Sequence, residues 1–340
     1  METWDLLRNI WFILIGVLLV GYSILDGFDL GIGALFPFLA RKKEEKETLY
    51  KAIGPVWDGN EVWLLTGGGA LFAAFPQTYA TVFSGFYLAL MLVLFALIFR
   101  AVSLEFRVHD SKRQRLWDGT FFLGSLLPSL LYGVALGNVI QGVPLRVNMD
   151  FAGDFFTLLR PFPLVIGLFG LIAILLQGST YAAMKTEDVL NKRARRIAQK
   201  LWVIYGLFLV LSFVCTLIYN PGAKKRALAW VFTAITAVCF ILMKRAFNRK
   251  KDALAFLMSS VAFSGLWGVA GAILFPNLVK ASNDPTLSLT VYNSSSSELT
   301  LKVMLIIALV GMPIVVAYTI YLYRVFKGKV TAEEEAYLCR

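Results

Sequence analysis

Five carboxylates and one guanidinium fall inside or at the edges of long apolar runs: Asp26, Asp29, Asp58, Glu61 and Glu105, with Arg100. A charge within a membrane span costs ~2.5–3.5 kcal/mol on insertion scales, so each is a functional candidate by default. Asp26 and Asp29 stand at i,i+3 and share a helix face, while Gly27, Gly31 and Gly33 leave room for a neighbouring helix to approach. Their run, Ile10–Phe38, is longer than a span needs, so a place for Asp29 near the interface stays open. Asp58 and Glu61 lie between Trp57 and Trp63 and allow two readings. Asp58 is a helix N-cap with Glu61 completing a capping box, or the helix starts near Leu49 and both acids share a face within the span. Arg100 and Glu105 have a plain reading as an interfacial ion pair with a snorkelling Arg. Carboxyl groups at similar depth can accept and release protons, and burial and a neighbouring Arg tune how readily they do so. The spacing alone does not separate a proton path from a cation site in a transporter.

The elements that must hold these groups are set by composition. The chain has 340 residues, 58% hydrophobic and 16% charged, with a mean hydropathy of +0.69. That balance excludes a soluble enzyme, a disordered linker and a nucleic-acid binder as leading readings. The apolar runs are Ile10–Phe38, Pro55–Phe75, Thr78–Phe99, Trp117–Ile140, Phe162–Ala183, Leu201–Tyr219, Ala227–Met243, Leu254–Phe275 and Leu301–Tyr323. A helix needs ~20 apolar residues to cross the hydrocarbon. The second run carries Asp58, Glu61 and Gly67-Gly68-Gly69, so it is either a span or a re-entrant segment. If it spans, with the N-terminus outside, 25 Lys and Arg residues lie inside and 8 outside; if not, the split is 21 against 12. The positive-inside rule favours nine spans. The sequence therefore predicts an all-α polytopic membrane protein of about nine transmembrane helices, eight if 55–75 is re-entrant. The C-terminus is then cytoplasmic, and short loops make neighbouring helices antiparallel. The basic stretch Lys185–Lys200 serves as a cytoplasmic topology determinant, and the long polar stretch Asn277–Leu299 falls outside.

Other chemistries find no support. The one imidazole, His109, sits in a basic loop and reads as solvated; it cannot build a set of haem sites that each need two strong axial ligands. Cys215, Cys239 and Cys339 are far apart, which argues against a disulfide framework or a zinc site. Walker, GxSxG and HExxH patterns are absent, as is a signal-peptide cleavage pattern. No linker and no internal repeat divides the chain. Trp117-Asp118, Asn138 and Gln141–Pro144 bracket the fourth run, and Gln177 sits late in the fifth, as interface anchors and interhelical hydrogen bonders.

These residues carry a family resemblance. Leu25–Gly33 (LDGFDLGIG), Val56–Leu64 (VWDGNEVWL), Gly67–Pro76 (GGGALFAAFP), Phe83–Tyr87, Phe99-Arg100, Gly137–Pro144 (GNVIQGVP) and Gln177–Tyr181 together resemble subunit II of the cytochrome bd quinol oxidases. The match is dense over roughly the first 185 residues. Beyond that it rests on length and span pattern.

The resemblance implies a bacterial plasma-membrane terminal oxidase that passes electrons from quinol to O₂ and takes protons from the cytoplasm. It implies two four-helix bundles, here 10–140 and 162–275, plus a peripheral helix at 301–323, within one integral membrane domain. Two b-type haems, one d-type haem and the quinol site are expected in subunit I. This chain is then a haem-free partner without activity of its own, bound to subunit I and membrane lipid, and the resemblance leaves a place for a small single-helix subunit. Asp58 matches the family acid assigned to proton transfer toward the haem subunit. Asp29, Trp57 and Arg100 match positions tied to stability or to that path. Glu105 matches a position that is Asp in other members, and Glu61 one that is Gln in others. Asp26, Glu61 and Trp63 join the candidate set on their position in the sequence. The competing reading is a secondary transporter coupled to cations or protons through Asp29 and Asp58; such proteins often show internal repeats, and none is found here.

Overall fold

The computed structural model describes residues 2–330, so Cys339 lies outside the described residues. Eleven helices follow in order: α1 Glu2–Leu39, α2 Lys43–Ile53, α3 Trp57–Ala74, α4 Pro76–Gly85, α5 Tyr87–His109, α6 Gln114–Gln141, α7 Pro161–Lys185, α8 Asp188–Tyr219, α9 Ala227–Asn248, α10 Asp252–Leu274 and α11 Glu298–Val325. Among the described residues, eight of them (α1 and α5 to α11) are long and apolar enough to cross a membrane. A short antiparallel pair, β1 Asn277–Val279 with β2 Leu289–Thr290, lies in the loop before α11.

The packing has α1 and α7 at its centre. Every residue of α1 from Asp26 to Phe36 is buried. Gly31 and Gly178 bring the two backbones together: a Cβ on Gly31 would lie 2.2 Å from the Ile174 carbonyl oxygen, so any side chain there would drive the helices apart. Phe28 stacks on Tyr181 of α7 at 3.8 Å between ring centroids. Around this axis α3 and α6 pack on α1, α5 packs on α6, α8 and α10 pack on α7, and α9 packs on α10. The helix α11 is held at its two ends, through Trp11 Nε1 donating to the Leu301 carbonyl at 3.0 Å and Tyr323 Oη donating to Asn60 Oδ1 at 3.1 Å.

The two ends of the molecule differ. One, the basic end, carries α2, the α5–α6 turn, the α7–α8 turn and the α9–α10 turn. There Arg193 of α8 grips Glu45 of α2 (2.7 and 3.1 Å) and also donates to the Leu39 carbonyl, while Arg195 pairs with Asp252 of α10 at 2.6 Å. The other, the loop end, is an ordered layer: Val143 N donates to Lys280 O, Ser282 N to Val143 O, and Asn283 brackets Leu145 from both sides.

Several expectations need correction. The run 55–75 does not turn back among the described residues. Helix α3 begins beside Asp29 and Tyr323 and ends beside Ser296, whose N–H donates to the Ala74 carbonyl; Trp4, at the opposite terminus of α1 from Asp29, meets that same Ser296. It thus runs antiparallel to α1 from one end to the other, and its 18 residues rise about 27 Å. The run Thr78–Phe99 is not one span. Pro76 opens a separate helix, α4, which packs against the loop layer through Thr78–Ser294 and Thr81–Met149, and the crossing helix is α5. Proline suits a first helical turn because its missing N–H would be unpaired there anyway. A helix from Leu49 is not formed either: α2 ends at Ile53 and a turn containing Pro55 precedes α3. Nor is there a capping box, since the N-cap of α3 is Val56 with no side-chain cap bond, and Asp58, among the described residues, accepts from Gly59 N at 2.7 Å. His109, expected in a loop, is instead the exposed last residue of α5, and most of the stretch Lys185–Lys200 forms the start of helix α8.

Candidate functional site

The inner half of α1 places Asp26 and Asp29 one turn apart, both fully buried. Helix α3 lies across them because Gly21 of α1 leaves a flat seat for Trp63; a Cβ on Gly21 would sit 2.2 Å from that indole. This contact sets the register that brings Asn60 and Glu61 to the acids of α1. From α5, across α6 from α7, the wholly buried Arg100 reaches the same point.

Arg100 is the centre of the arrangement. Its Nη2 donates to Asp26 Oδ1 at 2.6 Å and its Nη1 to Asp26 Oδ2 at 3.1 Å, a bidentate fork. The same Nη1 donates to Glu61 Oε1 at 3.0 Å. One guanidinium thus bridges α1, α3 and α5. Asn60 Nδ2 donates to Asp29 Oδ2 at 2.7 Å, and Asn60 Oδ1 accepts from Tyr323 of α11. Further along α1, Tyr22 Oη donates to Tyr132 Oη of α6 at 3.1 Å.

The expected residues fall into two groups. Asp26, Asp29, Glu61 and Arg100 come together in the interior, with Glu61 retaining 25% side-chain exposure. Asp29 is enclosed by neighbouring helices, and α1 continues past it to Leu39. Asp58 and Glu105 are exposed on this chain, and Asp58 lies one turn before Glu61 on the same face of α3. Arg100 does not pair with Glu105 but with acids from two other helices, which overturns the local ion-pair reading. The reason is angular: five residues along a helix turn through about 500°, which leaves the two side chains about 140° apart. Trp57 is half-buried against the central core.

Asn60 and Tyr323 escaped the sequence reading, as did the Tyr22–Tyr132 pair. Asn60 stands between the two acids of its own motif, and that adjacency was the one signal available. Gln177, in contrast, does what its type suggested: it bridges helices by donating to Ser260 Oγ at 2.8 Å. Asn138 likewise ties α6 to Leu158 of the loop layer at 2.7 Å.

Chemically, three carboxyl groups face one guanidinium in a water-poor interior, so charge balance leaves room for exchangeable protons. Cation coordination fits less well. Both oxygens of Asp26 are taken by Arg100, and among the described residues no group of three His, Cys, Asp or Glu side chains stands ready to hold a metal ion.

Comparison with known proteins adds to this geometry. The sequence profile of the family "Cytochrome bd terminal oxidase subunit II" matches residues 7–326. The Cytochrome bd-I ubiquinol oxidase subunit 2 of Escherichia coli (strain K12) is 37% identical, with 98% of each chain covered. The Cytochrome bd ubiquinol oxidase subunit 2 of Bacillus subtilis (strain 168) is 35% identical over 96% of this chain and 98% of its own. A solved structure, the bd oxidase from Geobacillus thermodenitrificans, has a chain of the same fold at a TM-score of 0.79 and 18% identity, covering 94% of this chain and 98% of that one. The likeness thus extends through the C-terminal half, where the sequence motifs had been sparse.

Proposed function

The chain belongs to the cytochrome bd terminal oxidase subunit II family, and from that premise we propose that it is a haem-free subunit carrying a proton path to its partner. Membership makes it a subunit of a respiratory quinol oxidase in a bacterial membrane, paired with subunit I in a haem-containing complex. On our reading subunit I holds two b-type haems and the d-type haem. The residues of this chain suit that division: its single imidazole, His109, stands exposed at the end of α5, and the sequence holds no second histidine to pair with it. We read α1 and α3 to α6 as one bundle and α7 to α10 as a second, with α11 peripheral. The N-terminus lies outside and the basic end faces the cytoplasm, in keeping with the distribution of Lys and Arg.

The observation that carries the proton path is the buried meeting of Arg100, Asp26 and Glu61, with Asp58 one turn from Glu61 and exposed. Asp58 and Glu105 face out of this chain at membrane depth. An exposed carboxylate there is costly against lipid and cheap against a partner or a water-filled seam. Subunit I covering the α3 and α5 faces would meet that need and be stabilised by it. Protons then enter from the basic end, pass by Asp26 and Glu61, and leave through Asp58 and Glu105 on the face shared with subunit I. Arg100 fixes the geometry, while Asn60 positions Asp29. Quinol oxidation supplies the electrons in the complex, and the carboxyl groups of this chain only hold and move protons.

The test is Asp58→Asn in the whole complex. Haem content and the reduced-minus-oxidised spectrum stay at wild-type level, while steady-state quinol oxidation falls by about tenfold or more. Loss of haem together with activity would mark Asp58 as a structural acid. Unchanged turnover would remove it from the path.

A further inference from the structure

At the basic end a pocket of about 460 Å³ opens between the last turn of α1, helix α2 and the first turns of α6. Phe36 and Phe122 form its apolar side, and Arg41, Lys46 and Arg115 surround it with positive charge. Asp118 is the one carboxylate in the lining, and it is already engaged twice, by Lys46 at 2.7 Å and by Arg107 at 2.6 Å. Arg41 and Arg115 are exposed, and neither forms an ion pair among the described residues. Two guanidinium groups with no carboxylate to meet therefore flank one concave site.

The surface beside the pocket is of the opposite kind. Phe38 and Leu123 are 58% and 60% exposed, and the Phe38 and Phe122 rings meet edge-on at 6.4 Å. Along α6 the charged turn of Arg115 and Asp118 gives way within one turn to Phe121, Phe122 and Leu123. That change marks the depth at which a bilayer passes from headgroups to hydrocarbon. A ligand that matches both halves has an anionic head and an apolar tail.

We propose that this pocket binds an anionic phospholipid, with the headgroup phosphate between Arg41 and Arg115 and an acyl chain along Phe38, Phe122 and Leu123. Guanidinium forks suit phosphate oxygens. Lipids such as phosphatidylglycerol carry a net negative charge, whereas a zwitterionic headgroup brings its own ammonium to compete for the phosphate. Each basic residue at a membrane surface contributes about fivefold to such binding, so the pair contributes about 25-fold. The site is separate from the buried acids and does not depend on their role.

The experiment places the whole oxidase complex in nanodiscs doped with a phosphatidylglycerol analogue carrying a photoreactive acyl chain. A phosphatidylcholine analogue with the same chain runs in parallel, and labelled peptides are mapped by mass spectrometry. The phosphatidylglycerol probe labels the peptides that hold Phe36–Arg41 and Leu116–Leu123. Arg41→Gln with Arg115→Gln reduces its apparent affinity about 25-fold, while haem content and detergent-phase quinol oxidation stay unchanged. Inorganic phosphate, compared with chloride at matched ionic strength, does not displace it. Equal labelling by the phosphatidylcholine probe, unchanged labelling in the double variant, or no label at these peptides would overturn the proposal. Displacement by inorganic phosphate alone would assign a free-anion site instead.

Discussion

Arg100 shows how one buried charge is made tolerable and what removing it would do. It is wholly enclosed and held by a bidentate carboxylate on α1 and a second carboxylate on α3. Removing one partner of such a pair typically costs 3–5 kcal/mol, because the other is left charged and unpaired. Arg100→Gln is therefore expected to lower the yield of haem-bearing complex and its thermal midpoint sharply, as is Asp26→Asn alone. The double variant Asp26→Asn/Arg100→Gln recovers much of the loss, because the carboxylate of Asp26 is then no longer stranded. A thermal-shift series on the four purified forms reads that coupling directly, and additive losses would show that the pair is not a unit. The sequence marked Arg100 and Asp26 as costly, and therefore meaningful, but it could not pair them. They are 74 positions apart, and the nearby Glu105 was the more obvious partner. Asn60 was less legible still. A neutral side chain at a span's edge is cheap, so nothing in composition marks it out, and its role exists only once α1, α3 and α11 meet.

The element most exposed to pH is α2. Glu45 is held far below the usual carboxyl range, at about 2, chiefly by hydrogen bonds from Arg193, helped by the backbone N–H groups of Arg41 and Lys42. Because the folded value is depressed, the stabilisation from this link is full above about 4.5, its ordinary value, and is lost as pH falls toward about 2. Glu45→Gln is expected to cost about 1 kcal/mol at neutral pH, a modest figure because water screens the pair. Melting curves of both forms between neutral pH and the acid limit of the complex check this. The gap should hold steady down to about 4.5 and narrow below it, whereas a gap that widens on acidification would refute the assignment. Helices α6 to α11 were readable as spans because a run of ~20 apolar residues admits few other structures. The region from α2 to α5 was not. The chain breaks at Gly85-Phe86, between α4 and α5 and inside the apolar run Thr78–Phe99, so hydropathy continues across a boundary that the backbone does not. The amphipathic α2 is too short and too charged to register as a span at all.

Seen whole, the molecule has a basic end and a loop end, and α3 joins them as surely as the eight more apolar helices do. A fluorescent protein inserted at the α9–α10 turn, beside Lys250, should fold and fluoresce, since that turn faces the cytoplasm on our reading. An exported-phosphatase reporter inserted at Ser295 should be active. The reverse pattern would invert the topology and with it the direction of proton entry. Family membership was legible from the motifs of the first half, whereas the face we assign to subunit I could be proposed only once Asp58 and Glu105 proved exposed on helices otherwise clad in apolar side chains. The central claim is that protons reach the partner through those acids. The most direct measurement is time-resolved proton uptake from bulk water, followed with a pH indicator during the reaction of the fully reduced complex with O₂. The account predicts that Asp58→Asn slows uptake by about tenfold or more while the haem spectra and the first O₂-binding step are unchanged. Uptake at the wild-type rate in that variant, with its haems intact, would contradict it.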